Sequence, residues 1–152
     1  MDIRGSLFKA DYENSPLPHG SSLWCVRTII PLGAAVLNDG HYLCELSFAD
    51  CTSLRRGNEV PTISSIEACA QIGALIVAHF DPPVELVKRV GYLVKVRVFN
   101  AECKSFSVSQ KAMLEVIVHD YTGKVIDLSC QLEVADRKIA TASILVVERG
   151  GI

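Results

Sequence analysis

Pro61-Thr62-Ile63-Ser64-Ser65-Ile66-Glu67-Ala68-Cys69-Ala70-Gln71-Ile72-Gly73-Ala74-Leu75-Ile76-Val77-Ala78-His79-Phe80 is the stretch on which the fold turns. Ser64 or Ser65 offers a side-chain cap for a helix running to about Phe80, and Asp81-Pro82-Pro83 stops it. Its residues are apolar nearly all round, so the helix belongs inside the protein rather than on its surface. Ala68, Ala70, Gly73, Ala74 and Ala78 allow neighbours close to its backbone. A lone helix this apolar needs a sheet wrapped around it.

The flanking sequence supplies that sheet. Leu23 to Ile30 reads as a strand stopped by Pro31 and Gly33. Ala34 to Phe48 reads as extended, with Asn38-Asp39-Gly40 turning it in the middle. After Pro83, Gly91–Asn100, Ala112–His119, Val125–Val134 and Ile139–Val147 are short apolar runs separated by turn residues. That rhythm predicts about six antiparallel strands joined largely by hairpins. The chain is read as a single α+β domain over residues 1–152.

Composition narrows the function. The chain carries 15 Lys and Arg against 17 Asp and Glu, and a net charge of −2 argues against a nucleic-acid binder. Glu67, Gln71 and His79 interrupt the longest apolar run, so no membrane span is expected. The opening residues show no signal-peptide core. The six cysteines form no C-x-x-C pair, and no metal-ligand cluster or cofactor motif stands out. They read as free, mostly buried thiols in a reducing compartment, hence a cytoplasmic protein.

Candidate chemistry is sparse. Glu67 and Gln71 lie four apart and share a helix face. In the first turn the helix dipole favours a charged Glu67 and burial favours a neutral one, a balance suited to acid–base work. The alternative use of Glu67 is to satisfy backbone N–H groups at the helix start. Cys69 is turned about 200° from Glu67 and reads as a core thiol. His19 stands in a stiff Leu17-Pro18-His19-Gly20 loop. His41 reads as a turn residue, His79 as an offset to the helix C-terminal dipole, and His119 as a surface group.

Val60-Pro61 followed by Glu67-Ala68-Cys69-Ala70-Gln71 resembles the start of the central helix in 3-hydroxyacyl-acyl-carrier-protein dehydratases. Leu17-Pro18-His19 resembles their entry to the first strand, and Gly91-Tyr92-Leu93 the strand after the helix. The landmarks keep their order across residues 15–148. The Gly-His-Phe-Pro-Gly stretch of the housekeeping enzymes is missing, and the position fourteen before Glu67 is Ser53. The chain therefore looks more like the divergent branch associated with aryl-polyene and polyketide-type lipids. Ser21-Ser22 and Arg27-Thr28 also depart from that branch's usual charged residues.

The resemblance implies a hotdog fold, in which an antiparallel sheet wraps the Glu67 helix, and a homodimer joined edge to edge, or a heterodimer with a related hotdog subunit. It implies a dehydratase (a hydro-lyase) with His19 and Glu67 as the acid–base pair, Pro61 at the substrate, and Gln71 binding the substrate or orienting either it or Glu67. The substrate would be a 3-hydroxyacyl thioester on an acyl carrier protein, with Arg55, Arg56, Lys88 and Arg89 as candidates for docking the acidic carrier, and Lys95 and Arg97 further along the basic rim. Two other functions remain open on the same fold: a non-catalytic acyl-thioester-binding or accessory subunit, and a thioesterase.

Overall fold

The computed structural model describes residues 8–9, 23–81 and 90–149. Nine strands and one helix follow in the order β1 (Phe8–Lys9), β2 (Val26–Pro31), β3 (His41–Leu46), β4 (Glu59–Pro61), α1 (Ser64–Phe80), β5 (Val90–Ala101), β6 (Ser105–Ser107), β7 (Ala112–Tyr121), β8 (Val125–Val134) and β9 (Arg137–Arg149). Seven strands form one sheet in the order β1-β2-β3-β7-β8-β9-β5, and β4 pairs with β6 in a separate ribbon. Every pairing is antiparallel. Six strands were expected; β1, β4 and β6 are additional, each three residues or fewer and too short to show alternation.

Alternation decides which face is core. In β7, Ala112, Leu114, Val116 and Val118 are buried while Met113, Glu115 and Ile117 are half-exposed. β8 repeats the pattern with Ile126, Leu128, Cys130, Leu132 and Val134 buried. The inward residues meet Cys69, Ile72, Leu75 and Ile76 of α1, which packs against β2, β5, β7, β8 and β9. Gly73 makes the closest approach. A Cβ there would stand 2.4 Å from Leu128 Cδ1, so the small residue admits the β8 side chain.

The helix is not buried all round. Ile63 is 60% exposed, and Glu67, Ala70, Ala74 and Ala78 are half-buried. Their spacing places them on one stripe, on the side of α1 that the sheet does not wrap. The start of α1 also differs from expectation. Neither serine caps it: Ile63 is the N-cap residue and makes no side-chain cap bond. The Ser64 hydroxyl instead donates to Leu54 O at 3.1 Å, tying the preceding connection to the helix.

Two turns show why their residues suit them. Gly40 sits so tightly that a Cβ would lie 2.1 Å from Val36 O, which fixes glycine after Asn38-Asp39. The segment before it is loop rather than strand, and His41 opens β3 instead of lying in the turn. Ala135 and Asp136 join β8 to β9 with φ of 51° and 64°, both in the left-handed region that a two-residue hairpin turn of primed type requires. Five cysteines are buried and free and Cys103 is exposed and free.

Candidate functional site

The polar side chains expected on α1 do come together. Gln71 Nε2 donates to Glu67 Oε1 at 3.1 Å, one helical turn away. The same nitrogen donates to Leu23 O at 2.6 Å. On the other end of the amide, Gln71 Oε1 accepts from Cys25 N at 3.3 Å and from Cys25 Sγ at 3.4 Å. Gln71 is 0% exposed. Two donors on its oxygen and two acceptors on its nitrogen leave the amide one sensible orientation. A reversed amide would set its oxygen against Glu67 and the Leu23 carbonyl.

The consequence reaches past the helix. Leu23 O and Cys25 N belong to the segment that leads into β2, and Gln71 binds both. Cys51 Sγ donates to Trp24 O at 2.6 Å, and Ser47 N donates to Cys25 O at 2.8 Å. Residues 23–25 are thereby held by Gln71 of the helix on one side and by Ser47 and Cys51 of the connection after β3 on the other. Glu67 stands half-buried in the first turn of α1, where the exposed N–H dipoles favour negative charge. Cys25 is held well above the ordinary thiol value, first by burial, then by Cys51 and by the Glu67 carboxylate. It is a hydrogen-bonding thiol, not a nucleophile.

The ribbon frames the helix start. Val60 and Phe106 are buried within it, Phe106 meets Phe48 edge-on at 5.7 Å between centroids, and Thr62 N donates to Lys104 O at 2.8 Å. Pro61 ends β4 opposite Ser105 and is half-buried. The Thr62 hydroxyl is buried and has no partner among the described residues.

Other expected positions fall out unevenly. Arg55 turns back on its own loop, with Nη1 donating to Gly57 O at 3.0 Å, while Arg56 is exposed. Ser64, bonded to Leu54, keeps this loop at the helix N-terminus. His19, Lys88 and Arg89 lie outside the described residues. Cys69 is fully buried in the core. His79 lies in the last turn of α1 and stacks edge-on with Phe80 at 5.0 Å, and exposed His119 bonds Ser129 Oγ at 2.7 Å. His41 pairs across strands with Glu115 on the outer face of the sheet. No group of three or more His, Cys, Asp or Glu among the described residues is arranged to hold a metal.

The architecture has close counterparts among solved structures. The dehydratase heterocomplex ApeI:P from Xenorhabdus doucetiae superposes with a TM-score of 0.69 over 89% of each chain, at 15% identity. A hot-dog-like protein from Thermanaerovibrio acidaminovorans superposes at 0.51, covering 72% of this chain and 79% of its own, at 17% identity. The chain has the hotdog fold. A hypothetical thioesterase with coenzyme A from Streptococcus pneumoniae TIGR4 shares it at a TM-score of 0.51, covering 75% of this chain and 82% of its own, at 14% identity. No protein-family model and no curated protein sequence matches the chain. No helix among the described residues is long and apolar enough to cross a membrane.

Proposed function

We propose that this hotdog protein dehydrates a 3-hydroxyacyl thioester carried on an acyl carrier protein. The observation that carries the reading is the Gln71–Glu67 hydrogen bond on a half-buried helix stripe. In the reaction a base removes the proton on C2 of the acyl chain, the C2=C3 bond forms, and the C3 hydroxyl leaves as water after an acid protonates it. Glu67 is the acid and His19 the base. The Gln71 amide donates to Oε1, so the transferable proton belongs on Oε2. Gln71 spends all four of its hydrogen bonds inside the protein, so its part is to position Glu67 rather than to touch substrate.

His19 precedes Leu23 by four residues, an extended reach of at most about 14 Å. Leu23 is itself bonded to Gln71, the partner of Glu67, so the segment that carries His19 is tethered at a point fixed beside the acid. Ala70, Ala74 and Ala78 continue from Glu67 along the same half-buried stripe and would give the acyl chain an apolar floor. Pro61 borders the thioester end. Arg56, with Lys88 and Arg89, receives the acidic carrier. Assembly runs edge to edge through β5 with another hotdog subunit, which covers the open stripe of α1.

A second reading, an accessory subunit without turnover, is favoured by one observation. Ser53 stands where the housekeeping enzymes of the resembled group carry a histidine. Enoyl absorbance and free-thiol release, followed together on crotonyl and octenoyl pantetheine thioesters, separate the readings. Loss of enoyl absorbance without thiol release is the expected result. Thiol release would indicate a thioesterase, and binding with neither signal would indicate the accessory subunit.

A further inference from the structure

The Gln71 amide is gripped unevenly. At its oxygen the Cys25 N–H stands at 3.3 Å, past the usual N–H···O range of about 2.7–3.2 Å, so the backbone alone holds it loosely. The Cys25 thiol stands at 3.4 Å, an ordinary approach for an atom as large as sulfur. At its nitrogen the bond to Leu23 O is short, 2.6 Å, and the bond to Glu67 Oε1 is longer, 3.1 Å. The short bond draws the amide toward Leu23. A second donor on the oxygen is what keeps the other N–H on Glu67.

Cys25 suits that task. It is 1% exposed and Gln71 0%, so bulk water does not readily replace a donor lost there. Burial, then Cys51 and the Glu67 carboxylate, hold its thiol well above the ordinary value. It therefore stays a neutral donor throughout the range in which a carboxyl titrates.

We propose that the Cys25 thiol is a positioning residue for Glu67: by donating to Gln71 Oε1 it fixes the tilt of the amide, keeps the Gln71 N–H on Glu67 Oε1 and leaves the transferable proton to Oε2. The use of that proton rests on the dehydratase reading of the preceding section; the grip of the thiol on the carboxyl is measurable without turnover. A donor to a carboxylate favours its charged form. Without the thiol the Leu23 bond governs the tilt, the bond to Glu67 weakens, and the carboxyl titrates at higher pH.

Carbon-13 NMR of glutamate-labelled protein follows the Glu67 carboxyl, assigned by the signal that Glu67→Gln removes. In Cys25→Ala its midpoint should rise by at least about 0.5 pH unit, and in Cys25→Ser, which restores a donor, it should stay within about 0.2 unit of wild type. Other groups that act on Glu67 are common to all three proteins. If Cys25→Ala does not fold, Cys25→Val fills the space without a donor and takes its part. Cys51→Ala, which releases Trp24 O from the opposite side, should lower the Tm and leave the midpoint in place. An unmoved midpoint in the donorless variant, equal rises in the Ala and Ser variants, or as large a rise in Cys51→Ala would overturn the proposal. In hydration of a crotonyl pantetheine thioester, charged Glu67 takes the proton from water, so the low-pH limb of kcat/KM should move up with the midpoint. A limb that stayed while the midpoint moved would overturn the thiol's part in the reaction. Absence of hydration by wild type would overturn the dehydratase reading alone, because the NMR midpoints still decide the role of the thiol.

Discussion

Truncating the Gln71 amide to an apolar side chain would strand Leu23 O and Cys25 N in the interior. Each unsatisfied buried group costs about 1–3 kcal/mol. Gln71→Leu should therefore destabilise the fold by about 2–4 kcal/mol in urea unfolding, and a loss under 1 kcal/mol would mean the amide is not the anchor the geometry gives. Arg56 affords a residue-scale test of carrier docking. Arg56→Glu should raise KM for a carrier-bound substrate several-fold and leave KM for the bare pantetheine thioester unchanged; an equal rise in both would place Arg56 elsewhere in the mechanism. The Glu67–Gln71 pair was legible in the sequence because i and i+4 always share a helix face. Cys25 was not, because it lies 46 positions from Gln71 and its thiol is a weak donor that no motif announces. His41 was misplaced for a similar reason: its partner, Glu115, is 74 positions away and fixed only by the β3–β7 register.

Local elements carry their own tests. The hairpin between β8 and β9 turns on an alanine and an aspartate in left-handed conformation, which costs a non-glycine residue about 1–2 kcal/mol. Replacing Ala135-Asp136 with Asn-Gly should raise the Tm by about 2–4 °C, and an unchanged or lower Tm would show the turn to be unstrained. Gly73→Val pushes a branched side chain into Leu128, which is fully buried and has little room to yield. Overpacking of that kind costs about 1–3 kcal/mol. The helix span and the four long strands could be read from period and punctuation. The ribbon of β4 and β6 could not, since three residues show no period and their pairing joins segments 44 or more positions apart. The cap was misread because the helix starts one residue earlier than a serine cap allows: Ile63 holds the N-cap position, and the Ser64 hydroxyl is turned to the Leu54 carbonyl.

At the scale of the whole molecule, the core is rich in thiols, and that sets its response to alkali. Burial holds Cys25 and Cys44 above the ordinary value near 9.0 and pushes Cys51 up to about 11, while a hydrogen bond with Cys130, then burial, raises Cys69. Below about pH 8 folded and unfolded chains both keep these protons, so stability is flat. Above pH 9 the unfolded chain releases protons that the fold retains, and stability falls, by about 1.4 kcal/mol per pH unit for each thiol. Thermal melts in reducing buffer should show a plateau to pH 8 and a steep decline by pH 10; a level profile across that range would contradict the buried-thiol account. The wrapped helix and its sheet were legible as a whole because one apolar helix among many short strands leaves few ways to bury it. The half-open stripe was not, because composition cannot tell a side facing a sheet from a side that the sheet leaves half-exposed. If Glu67 supplies the acid for loss of water from a 3-hydroxyacyl thioester, as proposed, its removal must show in the hydration rate of an enoyl pantetheine thioester by wild type and Glu67→Gln. Turnover by wild type and a loss of at least about 100-fold in the variant are expected, with its fold intact by circular dichroism. Equal rates in the two proteins would contradict that role for Glu67.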